Sequence, residues 1–156
     1  MKVRETNLAT VTFELDVYAE TEPDFVDITD RVVDAVNQSG INNGFVIVFS
    51  KHTTAAIIIQ EHEPLLLEDL GNTLERIAPK NVDYRHNDFN VRTVHMHEDE
   101  CPNGHSHCRH MMLGTSENIP IIDGALPFGK WQRIFMVELD QEAEQPRKIL
   151  VQVVGA

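Results

Sequence analysis

Positive charge is scarce in this chain: 13 lysines and arginines stand against 25 aspartates and glutamates, for a formal charge of −12. A nucleic-acid backbone needs a basic face to neutralise it. General nucleic-acid binding is therefore excluded, and a phosphorylated small molecule would have to meet a local basic pocket. Long apolar runs are lacking too. No stretch approaches the roughly 18 residues of a membrane span, and the opening MKVRETNLAT holds no apolar core of signal-peptide type. No membrane association is expected, and a cytoplasmic location is the default. Only two cysteines occur, Cys101 and Cys108, which a reducing compartment would keep as thiols. What remains is ordinary for a globular protein: 42% hydrophobic and 24% charged residues over 156 positions. One domain of that size buries about 68–70% of its unfolded surface without disulfides.

Along the chain, Val11, Phe13, Leu15 and Val17 alternate with polar residues and predict a half-buried antiparallel strand over residues 8–18. In DITDRVVDAVNQSG, Thr29 or Asp30 can cap a helix carrying Val32, Val33 and Val36, with Gly40 as its stop. GFVIVFS (44–50) and AAIIIQ (55–60) are too continuous for surface strands and predict buried central ones. Pro64 opens a second amphipathic helix over 64–77, with Leu66, Leu67, Leu70, Leu74 and Ile77 at helical spacing. HMMLG (110–114), WQRIFMVEL (131–139) and KILVQVVG (148–155) read as further strands, with turns at Asp123-Gly124 and from Pro127 to Gly129. No repeat or linker interrupts the pattern. The expectation is a single α+β domain over 1–156, mainly antiparallel and sandwich-like, with two main helices.

Six of the eight histidines lie between residues 79 and 110. Read as an extension of the following strand, NGHSHCRH puts His105 and His107 on one side and Cys108 and His110 on the other. Two imidazoles spaced so can share a metal ion. Cys108 and His110 run into apolar sequence, where a small thiol is more often packing than ligand, and both are left out of the candidate site. His95 and His97 sit in an acidic stretch that reads as a solvated loop. In YRHND, His86 stands beside Asn87 and Asp88, which can orient an imidazole. KHTT (51–54) squeezes a cation, an imidazole and two hydroxyls between buried strands, where unpaired polar groups are costly, so a cleft at the strand ends is as good a reading as a plain polar turn.

Together KHTTAAIIIQEHEP, YRHND, HSHCRHMMLGTSENIPI, DGALPFGKWQRI and the closing VELD…R…ILVQVVG resemble the YjbQ-like family, to which the name secondary thiamine-phosphate synthase is often attached. The resemblance spans nearly the whole chain in order. It implies a compact β-rich α+β domain assembled as a homotrimer, and it places family positions on His52, His86, His107, Glu61, Trp131 and Gln132; His105 matches only members with a His-x-His. Lys130 stands where the family has Thr, DECPNG lengthens the loop before His105, and ELDQEAEQPRK replaces a compact turn.

The implied reaction couples a pyrimidinylmethyl diphosphate to a thiazole phosphate with loss of pyrophosphate, which calls for donors and cations around the leaving group. Catalytic candidates are His52, Thr53, Thr54, Glu61 and Asp88. Lys51, Arg85, Lys130, Trp131 and Gln132 are candidates for substrate binding, with Arg109 and Arg133 as further sources of charge. The metal candidates are His86, His105 and His107, with His52 as an alternative third ligand; Zn²⁺ suits imidazole, and Mg²⁺ would accompany a diphosphate. Dedicated coupling enzymes are barrels of about 200 residues or more, so the coupling is expected as a side activity. Two readings stand beside it: a metal-dependent hydrolase using Glu61 or Asp88 as base, and a non-catalytic trimeric binding module.

Overall fold

Period-two alternation becomes sheet where it was expected. In a computed structural model describing residues 7–156, β1 (Ala9–Val17) turns Val11, Phe13, Leu15 and Val17 inward and leaves Thr12, Glu14 and Asp16 exposed. It pairs with β7 (Arg147–Gly155), which pairs with β3 (Gly44–Ser50), which pairs with β5 (Ser116–Ile121). A second sheet holds β2 (Asp24–Asp27), β6 (Arg133–Glu138) and β4 (Ala55–Gln60), in that order. Every pairing is antiparallel. Val46, Val48, Val151 and Val153 of the larger sheet meet Ile57, Ile134 and Met136 of the smaller one in the main core. The opposite side of β6 is covered too: Phe135 and Val137 pack with Ala56 and with Leu74 of α2 (Pro64–Ile77). Burial on both faces is why the second sheet's strands read as continuous apolar runs. Each fully buried isoleucine or valine there stabilises the fold by roughly 1.5–3 kcal/mol.

α1 (Thr29–Ser39) buries Val32, Ala35 and Val36 and stops at Gly40, whose φ of 70° suits glycine. The expected cap by Thr29 or Asp30 is not made. Asp27 instead accepts from the Thr29 N–H and hydroxyl at 3.0 and 2.6 Å, while the Thr29 hydroxyl accepts from Ile134 N. α2 begins at Pro64 as expected, and the Glu63 carboxylate takes the N–H groups of Leu65 and Leu66. At Asp123-Gly124 both φ angles are positive, 49° and 78°, making the predicted tight turn.

The histidine-rich segment departs from expectation. Residues read as strand from 105 onwards, and again at 110–114, form a third helix, α3 (Gly104–Leu113). A strand would have paired His105 with His107. The helix pairs His105 with Arg109 and His107 with His110, and the first couple is buried against acidic partners. The neighbouring place beside β3 is taken by SENIPI, whose Pro120 is tolerated because β5 is an edge strand. β2, only four residues long, is the other strand not foreseen.

Candidate functional site

The KHTT turn is framed before its side chains are considered. Ser50 donates to the Ala55 carbonyl at 2.6 Å, Leu139 N donates to the Thr54 carbonyl at 3.0 Å, and Ser50 N reaches Thr115 O at 2.8 Å. Beneath it lies a buried ion pair. Arg147 donates through Nε and Nη2 to the Glu138 carboxylate at 2.7 and 2.6 Å, and through Nη2 to the Thr54 hydroxyl at 2.8 Å. Glu138 also accepts from Gln145 and from the Leu139 and Asp140 N–H groups. Both charges are paired, so this assembly positions the turn.

His52 Nε2 accepts the Lys148 N–H at 2.8 Å, which fixes the neutral tautomer with its proton on Nδ1. Burial holds its pKa below the ordinary 6.5, and Arg147 and Lys51 push the same way against Glu138. The other imidazoles come from across the sequence. Gly104 N donates to Asn87 Oδ1 at 2.9 Å, and a Cβ at Gly104 would lie 2.6 Å from that of Tyr84; this close approach seats the start of α3 on the 85–87 turn. His86 and His107 then meet edge to face, ring centroids 4.8 Å apart. The His107 pKa is lowered by burial first and His86 second, with the Thr53 backbone and Asp140 opposing. One helical turn on, burial depresses the His110 pKa against the His52 backbone, and His110 Nε2 is buried with no hydrogen-bond partner. Three neutral imidazoles, His52, His107 and His110, thus flank the turn, with His86 beside them. Val82, Asp83, Tyr84, Arg85, Asn87 and Asp88 line a cavity of about 530 Å³ that none of these imidazoles enters.

Several expected members are elsewhere. His105 is buried against Glu22 through Nε2, on the side of α3 away from His107, so His86, His105 and His107 do not form a ligand set. Among the described residues no three His, Cys, Asp or Glu side chains come together closely enough to hold a metal ion. The expected Zn²⁺ donors therefore do not fit. Arg109 is spent on the Ala78 carbonyl and Glu75, and Arg133 on Asp27. Glu61 follows the far end of β4, opposite the start of β6, where Lys130, Trp131 and Gln132 also lie. There Lys130 Nζ stands 4.6 Å over the Trp131 ring, and Gln132 accepts from Gly129 N to close a turn. Lys51 reaches out to Glu14 at 3.1 Å. Asp88 is exposed and accepts from Asn90 N. Of the candidates, His52, Thr53, Thr54, His86 and His107 share one region, bordered by Arg85.

Glu138, Asp140, Arg147 and His110 belong to this region and were missed. Asp140 accepts from Asn103 Nδ2 at 2.9 Å and draws the His107 pKa upward. The hint for the first three was a Glu-x-Asp ending an apolar strand and an Arg opening the next, charges expected to be buried in pairs. His110 needed the helix, in which it falls one turn from His107.

A family model described as "UPF0047 protein YjbQ-like" matches residues 13–156. A UPF0047 protein of Methanothermobacter thermautotrophicus is 38% identical over 144 residues, 92% of each chain. One from Synechocystis is 33% identical over 144 residues, 91% of this chain and 90% of that protein. Among solved structures, a YbjQ-like protein of unknown function from Sulfolobus solfataricus superposes with a TM-score of 0.79 at 31% identity, covering 96% of this chain and 99% of the other. A hypothetical protein of Aeropyrum pernix gives 0.74 at 27%, covering 95% and 99%.

Proposed function

We propose, for a chain that belongs to the UPF0047 YjbQ-like family, a small-molecule enzyme acting on phosphorylated or diphosphate substrates, of the kind named secondary thiamine-phosphate synthase. The observation that supports it is the group of imidazoles held neutral around the KHTT turn, with Arg85 next in the chain to His86. A neutral imidazole with a depressed pKa accepts a proton from water or a hydroxyl near neutral pH. His107 would take that role, with Asp140 steadying the imidazolium formed there, while His110, its Nε2 shut off from solvent, would support His107 from the next turn. The His52 Nδ1 proton and the exposed Thr53 hydroxyl are donors for phosphoryl oxygens, and Arg85 supplies the cation. In a thiazole–pyrimidine coupling the thiazole nitrogen attacks with its own lone pair, so the imidazoles would act there only as donors. Proton acceptance therefore favours hydrolysis or transfer to a hydroxyl as the main reaction, with coupling as a side activity.

The assembly that accompanies this reading is a homotrimer in a cytoplasmic setting. Its support is an apolar strip on the outer side of β3, where Phe45 and Phe49 are 37% and 38% exposed, and two free thiols. Among the described residues no helix is long and apolar enough to cross a membrane. The experiment is His52→Ala assayed for thiamine phosphate formation and for phosphate or pyrophosphate release from a panel of small phosphorylated compounds. Turnover is expected to fall about 10²-fold. Full activity in the variant would remove the KHTT turn from the site.

A further inference from the structure

A second pocket, of about 420 Å³, opens on the other flank of the smaller sheet, with none of the residues of the histidine region in its walls. Phe25, Ile58, Leu70, Leu74, Ile77 and Met112 make most of the lining, from β2, β4, α2 and α3. Three polar side chains enter it: Gln60, Thr73 and Glu117. Two are already engaged. Thr73 donates to the Asp69 carbonyl at 2.8 Å and accepts from Arg76, and Gln60 Oε1 accepts from Glu61 N. Glu117, on the inward side of β5, is partly buried and makes no hydrogen bond or ion pair with any described residue. It is the only ionisable group of the lining.

A partly buried, unpaired carboxylate among leucines and isoleucines is unfavourable, because burial removes part of its water and returns nothing. A pocket of this volume, apolar with a few convergent polar groups, is the ordinary form of a small-molecule site. We propose that it binds a small hydrophobic amine, the apolar body among Ile58, Leu70, Leu74 and Met112 and the ammonium on Glu117. An ammonium restores what burial took from the carboxylate, through a charge-assisted hydrogen bond; an alcohol restores less, and a carboxylic acid ionised at neutral pH is repelled. The burial that would be relieved already raises the Glu117 pKa above its ordinary 4.5. Selectivity for the cation is therefore present at pH 8 and disappears as the pH falls and Glu117 takes up a proton. Arg76, bonded to Thr73 on α2, is the nearby cation that tempers the field, and neither β4 nor α3 contributes a charge to the lining.

The probes are n-hexylamine, n-hexanol and hexanoate, titrated calorimetrically into the intact protein at pH 8 and at pH 4. The amine should bind about tenfold or more tighter than the alcohol at pH 8, hexanoate should be weakest, and the margin should shrink at pH 4. Glu117→Gln should bring amine and alcohol within about twofold, a loss a purely structural glutamate would not give. Met112→Trp, at a side chain 59% exposed on the rim, should block amine and alcohol alike while the fold persists. Equal binding of amine and alcohol by the native protein, no saturable binding, or an amine preference surviving Glu117→Gln would each overturn the proposal. So would a change of sedimentation on Glu117→Gln with no probe bound, since the partner of Glu117 would then be another copy of the chain.

Discussion

The two sides of α3 carry the same residue type into opposite circumstances. On one side His105 and Arg109, four residues apart, are fully buried and paired, His105 with Glu22 and Arg109 with Glu75 and the Ala78 carbonyl. Lys80 and Gln141 N complete the shell around Glu22, whose pKa is lowered by these bonds against its burial. On the other side His107 and His110, three residues apart, lose their water without gaining an ion pair, and His110 Nε2 has no partner at all. His105 Nδ1 is unpartnered too, but the ion pair with Glu22 ties that ring to the structure. A desolvated imidazole with no ion pair keeps the capacity to react, and the proposed chemistry belongs on the second side.

The comparison breaks most plainly at Arg109. Arg109→Met removes a buried guanidinium from between Glu22 and Glu75, and loss of one member of a buried pair costs roughly 3–5 kcal/mol. Glu75 is half exposed, so the lower end is expected. A denaturant midpoint shifted by that amount, with turnover per folded molecule unchanged, is the outcome; a loss of turnover with intact stability would reverse the roles of the two sides.

Next in size is His107→Ala. Removing a proton acceptor should cost about 10²-fold in turnover, equivalent to about 2.7 kcal/mol of barrier, while the unfolding midpoint moves by less than roughly 1.5 kcal/mol. His110→Ala should lower turnover too, through the loss of its support to His107. The same assay panel that reads His52→Ala reads these variants.

Acid provides a smaller, graded test. The pKa values of His52, His107 and His110 lie below the ordinary 6.5 in the folded chain. The unfolded chain therefore binds protons first, and stability is fully present above pH 6.5 and declines as the pH falls through and below it. Turnover should follow the folded values and keep its plateau to a lower pH than a free imidazole would allow. A triple His→Gln variant at these positions should lose the stability decline in that window; if the wild-type decline persists in it, other groups are responsible.

Much of this was legible from the chain. α2 runs from Pro64 to Ile77 as its leucine spacing predicts, and β3 and β4 occupy the expected residues, because long periods and continuous apolar runs speak for themselves. GHSHCRHMML has neither: ten residues, few of them apolar, fit period two as well as period 3.6. What decides in favour of helix is distant, Glu22 lying 83 residues before His105 and Glu75 lying 34 before Arg109. The site was half legible for the same reason. His52, His86 and His107 stood out through their neighbours and the family likeness, while the Glu138–Arg147 support depends on strands β6 and β7 being brought together at their ends.

The smallest effect is expected at Cys108, whose helical position lies toward the His105 and Arg109 side and away from His107 and His110. Its thiol is partly buried and unpaired among the described residues. A ligand or a nucleophile would need its thiolate stabilised by a nearby cation or helix N-terminus, and the neighbouring Arg109 is spent on Glu75 and the Ala78 carbonyl. Packing is then its whole contribution. Cys108→Ser exchanges a weakly polar sulfur for a hydroxyl of similar shape, so stability should fall by less than about 1 kcal/mol and turnover on any substrate the native protein accepts should be unchanged. Iodoacetamide should likewise leave turnover intact under native conditions. Inactivation by that reagent in the wild type, absent in Cys108→Ser, would extend the reactive region around the helix and erase the difference between its two sides.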